Sequence, residues 1–103
     1  MRENNYQAKL IKKIRLLIPG CIIQKNDSSY IQGYPDITIY FGRRWGALEI
    51  KTSVNAPHQP NQEYWIDYLN QMSYASFISP ETEDGVLHEL QQALGACGKT
   101  RVP

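Results

Sequence analysis

Two short motifs on either side of one turn constrain this chain most. Gly33-Tyr34-Pro35-Asp36 opens one apolar run, and Leu48-Glu49-Ile50-Lys51 closes the next. Between them lies Phe41-Gly42-Arg43-Arg44-Trp45-Gly46, rich in Gly and Arg. The layout predicts a hairpin with strands from Asp36 to Phe41 and from Trp45 to Lys51. Alternation along the second strand puts Glu49 and Lys51 on one sheet face and Leu48 and Ile50 on the other. Two carboxylates converging beside an ammonium suit a hard divalent cation and an activated water. That residue set is the one needed to hydrolyse a phosphodiester.

The 103 residues, 42% of them hydrophobic, suffice for one compact core, so one domain is expected over 1–95 with a flexible tail over 96–103. No apolar run is long enough to span a membrane. The polar, then amphipathic, start lacks the apolar stretch of a secretory signal. Cys21 and Cys97 do not make a disulfide framework; two free thiols in a reducing cytoplasm are expected. The net charge of +1 does not announce nucleic acid, but its distribution says more. Residues 1–60 carry nine Lys and Arg against four Asp and Glu, and residues 61–103 carry two against six. The half with the candidate site is the cationic half, as binding to a phosphate backbone needs. Taken alone, that asymmetry is also what an ordinary solvated helix produces.

Helical spacing of Tyr6, Leu10, Ile11, Ile14, Leu17 and Ile18 predicts a helix from Glu3 to Ile18, with Lys9, Lys12, Lys13 and Arg15 opposite. Pro19-Gly20 stops it. Cys21 to Gln24 reads as a buried strand and Asn26 to Ser29 as a turn. Gly33 supplies a backbone angle that other residues resist. Tyr34 before proline is pushed to extended geometry. Pro60 suits the first turn of a second helix running to Met72, with Trp65, Ile66, Leu69 and Met72 inward. Tyr74 to Ile78 reads as a last strand and Glu81 to Leu94 as a terminal helix with acids in its first turn. The expected class is α/β (α+β): a mixed sheet with helices packed against it.

Two polar residues share apolar stripes. Glu3 falls on the arc of Gln7, Leu10, Ile14 and Leu17, where a carboxylate needs a partner, water at the helix end or a metal. Gln62 shares the face of Trp65 and Ile66 and can point at the mouth of the site. Each also has an ordinary reading, as a helix-start acid and as a first-turn residue. Asp36 and Glu49 could be surface acids at strand ends, and Lys51 an edge-strand charge. Their shared context is what raises them above chance. His58, His88, Cys21 and Cys97 have no zinc-ligand spacing.

With Glu3-x-x-x-Gln7, Gly33-x-Pro35-Asp36, Glu49-x-Lys51 and Pro60-x-Gln62 in this order, the chain resembles the PD-(D/E)xK nuclease superfamily. More narrowly, it resembles the small VRR-NUC-type (virus-type replication-repair) nucleases, often encoded by phages as stand-alone domains. The resemblance implies a restriction-endonuclease-like αβββαβ core, here with an extra C-terminal helix. It also implies a Mg²⁺- or Mn²⁺-dependent DNA endonuclease. Asp36 and Glu49 are then metal ligands with the Ile50 backbone carbonyl, Lys51 polarises the attacking water, Glu3 is an auxiliary acid near the metal, and Gln62 orients. Lys9, Lys12, Lys13, Arg43 and Arg44 are candidate contacts to the DNA backbone. Tyr30, Tyr34 and Trp45 are candidates for stacking on frayed bases, with core packing the favoured reading for Trp45. A homodimer is expected, since one small domain supplies one cluster and cutting both strands needs two. The alternative is a catalytically inactive nucleic-acid-binding or structural subunit on a nuclease fold.

Overall fold

The computed structural model describes residues 3–27 and 29–96. Its elements are α1 (Glu3–Leu17), β1 (Ile22–Lys25), β2 (Ile37–Phe41), β3 (Arg44–Ile50), α2 (Gln62–Met72), β4 (Tyr74–Ile78) and α3 (Glu83–Leu94). The order matches the expected αβββαβ core with a further helix.

The sheet runs β1-β2-β3-β4 in both sequence and space. β2 and β3 form the expected antiparallel hairpin, with Phe41 opposite Arg44 and Ile37 opposite Leu48. The two loop residues are Gly42 and Arg43, and Gly42 takes a φ of 61°, which a two-residue hairpin assigns to glycine. β4 lies parallel to β3 because α2 carries the chain back across the sheet. The sheet is therefore mixed, as expected.

Alternation along β2 and β3 divides the apolar residues between two faces. Ile37, Ile39, Leu48 and Ile50 pack with Tyr6, Leu10, Ile11 and Ile14 of α1 and Val86, Leu87, Leu90 and Leu94 of α3. Ala47 and Ala75 pack with Ile66 and Leu69 of α2. Fully burying one Leu or Ile side chain contributes about 1.5–3 kcal/mol. The α1/α3 face, with the larger set, carries most of the stability, while the smaller α2 face carries Glu49.

Three expectations need correction. β1 is not a buried strand: it starts at Ile22, which is 66% exposed, and Cys21 lies half-buried just before it. Among the described residues, β1 pairs only with β2, while α2 lies over β3 and β4, so one face of this edge has no described helix packed over it. The inward stripe of α2 ends at Leu69; Met72 is 57% exposed, because the chain leaves the helix at Ser73 to enter β4. α3 starts at Glu83 rather than Glu81. Ser79 to Thr82 form a turn first, with the Ser79 amide donating to Thr82 Oγ1 at 3.0 Å. Ala96, placed in the tail from sequence, donates its amide to Gln91 O at 2.8 Å and closes α3. Ser28 of the expected turn, and Cys97 with the rest of the tail, lie outside the described residues.

Candidate metal centre

The site forms where the N-terminal end of β2, the C-terminal end of β3 and the first turns of α1 and α2 meet. The hairpin register pairs Ile37 with Leu48, so Asp36 and Glu49 are the next cross-strand neighbours. Asp36 is fixed from behind: its Oδ2 accepts the Ile50 amide at 2.8 Å. That bond aims the rest of the carboxylate into a cavity of about 460 Å³. Glu3, Asp36, Glu49, Lys51 and Gln62 all line this cavity. Glu3, in the first turn of α1, thus reaches it from the opposite face of the sheet.

Glu49 is only 4% exposed. Its Oε2 accepts a hydrogen bond from Gln62 Nε2 at 3.0 Å. Its Oε1 is buried with no hydrogen-bond partner among the described residues. Burial first, and then the negative charge of Asp36, push the Glu49 carboxyl up to about 9. The Glu3 carboxyl is also raised, by burial and by Asp36, while Lys51 works against the shift. Lys51 donates from Nζ to Gln62 Oε1 at 2.7 Å and to Pro57 O at 3.2 Å. An ammonium has three donors, so one remains for a group in the cavity. Gln62 bridges the acid and the base, and its Oε1 also accepts the Gln59 amide at 2.8 Å.

Asp36, Glu49, Lys51, Gln62 and Glu3 therefore converge. The candidate backbone contacts do not all follow. Lys9 and Lys12 are exposed on α1. Lys13 is held by Glu83 at 2.5 Å, with Asp84 at 3.7 Å. Arg43 and Arg44 sit at the turn end of the hairpin, which strand geometry puts about 17 Å from Asp36. Arg44 reaches instead to Ala93 O at 3.4 Å. Tyr30 is 84% exposed and lines a groove with Tyr34 on the bare part of the sheet. Trp45 packs in the α2 core cluster.

Two neighbours had no sequence signal as site residues. Pro57 supplies a carbonyl to Lys51, and Gln59 supplies an amide to Gln62. Both act through the main chain, which residue identity does not report.

The donor set is compatible with a hard cation. A buried carboxylate oxygen without a donor is costly; a proton shared with Asp36, or a cation, would each relieve that cost. Among the described residues, no three His, Cys, Asp or Glu side chains form a ready-made metal cage. Two carboxylates and water form a sparser set of the kind that suits Mg²⁺, which keeps several of its waters.

A solved structure titled VRR_NUC domain protein superposes on the chain with a TM-score of 0.66 at 20% identity, covering 93% of this chain and 90% of the other. The fold is that of a VRR_NUC domain. No family model matches the chain, and no curated protein does. Among the described residues, no helix is long and apolar enough to cross a membrane.

Proposed function

We propose that this chain is a metal-dependent deoxyribonuclease that hydrolyses phosphodiester bonds at the Asp36-Glu49-Lys51 cavity. One observation carries the reading: Glu49, with a buried oxygen that has no hydrogen-bond partner among the described residues, lines a cavity with Asp36 and Lys51 on a VRR_NUC fold. Asp36, Glu49 and the Ile50 carbonyl would hold Mg²⁺ or Mn²⁺, with Glu3 beside them. The cation supplies positive charge against the anionic transition state and makes water more acidic.

The chain's own residues do the rest. Lys51 keeps one donor for the attacking water or a phosphate oxygen, and its charge favours hydroxide beside it. Gln62 restrains the Lys51 ammonium and the Glu49 carboxylate in one geometry. The Asp36 carboxylate is held rigid by the Ile50 amide, so little reorganisation is needed on binding. Lys9 and Lys12 remain the backbone contacts in this reading, with Tyr34 at the rim available to an unpaired base. A second copy of the chain belongs to the reading where both strands of a duplex, or two arms of a branch, are cut. Such an activity fits replication, recombination or repair of phage-type DNA.

The test is a cleavage panel with Mg²⁺ or Mn²⁺ on plasmid, linear duplex, single-strand, flap and four-way-junction substrates, with light scattering for the oligomeric state. Metal-dependent cuts lost in Asp36→Ala support the reading. Binding without cleavage under both cations would move the chain to the non-catalytic alternative.

A further inference from the structure

The hydrogen bonds of Gln62 explain what it does but not why it points inward. α2 begins at Gln62, and the residue before it, Asn61, has a φ of 71° and a ψ of −2°. It is the one non-glycine residue at positive φ among those described. An N-cap residue ordinarily has extended angles and caps with its side chain. Asn61 does neither: its side chain makes no capping hydrogen bond. Its carbonyl nevertheless accepts the Trp65 amide at 3.1 Å, so the helix starts there. The left-handed conformation costs an ordinary residue about 1–2 kcal/mol, less for Asn. The surroundings must hold it.

Gly33 lies directly against it. A Cβ on Gly33 would sit 2.6 Å from Pro60 O, 2.7 Å from Asn61 C and 2.8 Å from Asn61 Cβ. These are mostly backbone atoms, so no rotamer change relieves the clash. Gly33 itself has a φ of 81°. The loop that delivers Asp36 and the turn that delivers Gln62 therefore meet backbone to backbone. Tyr34, next to Gly33, and Trp65, one helical turn past Asn61, extend the contact edge to face at 5.2 Å between centroids.

We propose that Gly33 and Asn61 form a backbone latch that fixes Gln62 between Glu49 and Lys51. They are positioning residues: neither need touch substrate or cation, and they act through the Gln62 amide. The glycine of the Gly-x-Pro-Asp motif is required here because α2 begins against it. The inference rests on the proposed function only for its effect on cleavage; the geometry of Gln62 is testable without it.

The experiment reads the Gln62 side-chain amide protons by NMR in the metal-free protein, for wild type, Asn61→Gly, Asn61→Ala and Gly33→Ala. In wild type these protons are buried against Glu49 and exchange slowly, on the order of 100-fold slower than a free glutamine. Asn61→Gly adopts left-handed angles without strain and retains the protection. Asn61→Ala and Gly33→Ala lose it, while backbone resonances of α1, α3 and the sheet stay in place. In the cleavage assay the same two variants lower the single-turnover rate by roughly 10- to 100-fold with little change in DNA affinity, and Asn61→Gly restores it. If Gly33→Ala fails to fold, the Asn61 pair decides. Protection that persists unchanged in Asn61→Ala overturns the latch. Absence of cleavage in wild type overturns the nuclease reading instead, and the amide signal still decides the latch.

Discussion

α1 touches acidic groups at two places, and the two are finished differently. Near its middle, Glu83 of α3 accepts a hydrogen bond from Tyr6 Oη at 2.9 Å and an ion pair from Lys13 at 2.5 Å. At its start, Glu3 joins Asp36 and Glu49 around a cavity where, among the described residues, Lys51 is the one countercharge and one Glu49 oxygen has no partner. Both regions bury carboxylates, with opposite results. Burial raises Glu83, but the hydrogen bonds from Lys13 and Tyr6 outweigh it and hold the carboxyl low. In the cavity, burial and like charge act together and the carboxyl of Glu49 rises. The first arrangement is complete within the chain and ties α1 to α3. In the proposed function the second is completed from outside, and that difference would separate a structural charge from a functional one.

The largest effect should come from the unfinished cluster. Asp36→Ala or Glu49→Ala should lower the cleavage rate on the order of 10³-fold, several kcal/mol of transition-state stabilisation, while the fold persists. Gel assays with matched circular dichroism check this; either variant cutting at the wild-type rate would remove the distinction. Lys51→Met should follow at roughly 100-fold, with binding of Mn²⁺ and DNA retained. A loss of DNA affinity with unchanged single-turnover chemistry would make Lys51 a phosphate contact instead.

Glu83→Gln sharpens the comparison from the other side. It should cost about 1–2 kcal/mol of stability by weakening a charge-assisted bond from Tyr6 and the pairing with Lys13, with cleavage unchanged. Denaturant melts and the cleavage assay read the two effects separately. A cleavage defect without a stability change would place Glu83 in the functional class.

The smallest and most diagnostic effect is on pH dependence, where the two regions have opposite signs. Glu49 has a folded pKa above its unfolded value, so the unfolded state loses its proton first as pH rises. Without cation, stability should therefore fall as pH rises from about 4.5 towards about 9. Glu83 has a folded pKa below its unfolded value, so its contribution is present above about 4.5 and is lost as pH falls through the lowered value. Melting temperatures across pH for Glu49→Gln and Glu83→Gln should flatten the high-pH and low-pH arms respectively. If the two variants flatten the same arm, the opposition is wrong.

The hairpin was legible because its signals are local. Alternation and a Gly-Arg loop set the register, and that register alone makes Asp36 and Glu49 neighbours. The inward position of Gln62 was legible as a polar residue on an apolar helical face. The Lys13-Glu83 pair was not, because its partners lie 70 residues apart and meet only through packing of α1 on α3. The exposure of β1 was hidden for a related reason: Ile22 and Ile23 look like core, but which strand forms the edge is decided by pairing elsewhere. Arg43 and Arg44 are close to Glu49 in sequence and far from it in space, because a strand lies between. The left-handed Asn61 was not legible: Asn tolerates such angles, but Asn before a helix ordinarily caps it in an extended conformation.

Completion of the Asp36-Glu49 pair by a divalent cation is the core of the proposed function. It is tested most directly by melting temperature against Mn²⁺ concentration at pH 8, for wild type, Glu83→Gln and Glu49→Gln. Wild type and Glu83→Gln should each rise with cation, by roughly 10 °C at a hundredfold excess over the dissociation constant. Glu49→Gln should not rise. A flat wild-type curve, or a rise of equal size in Glu49→Gln, would contradict the claim.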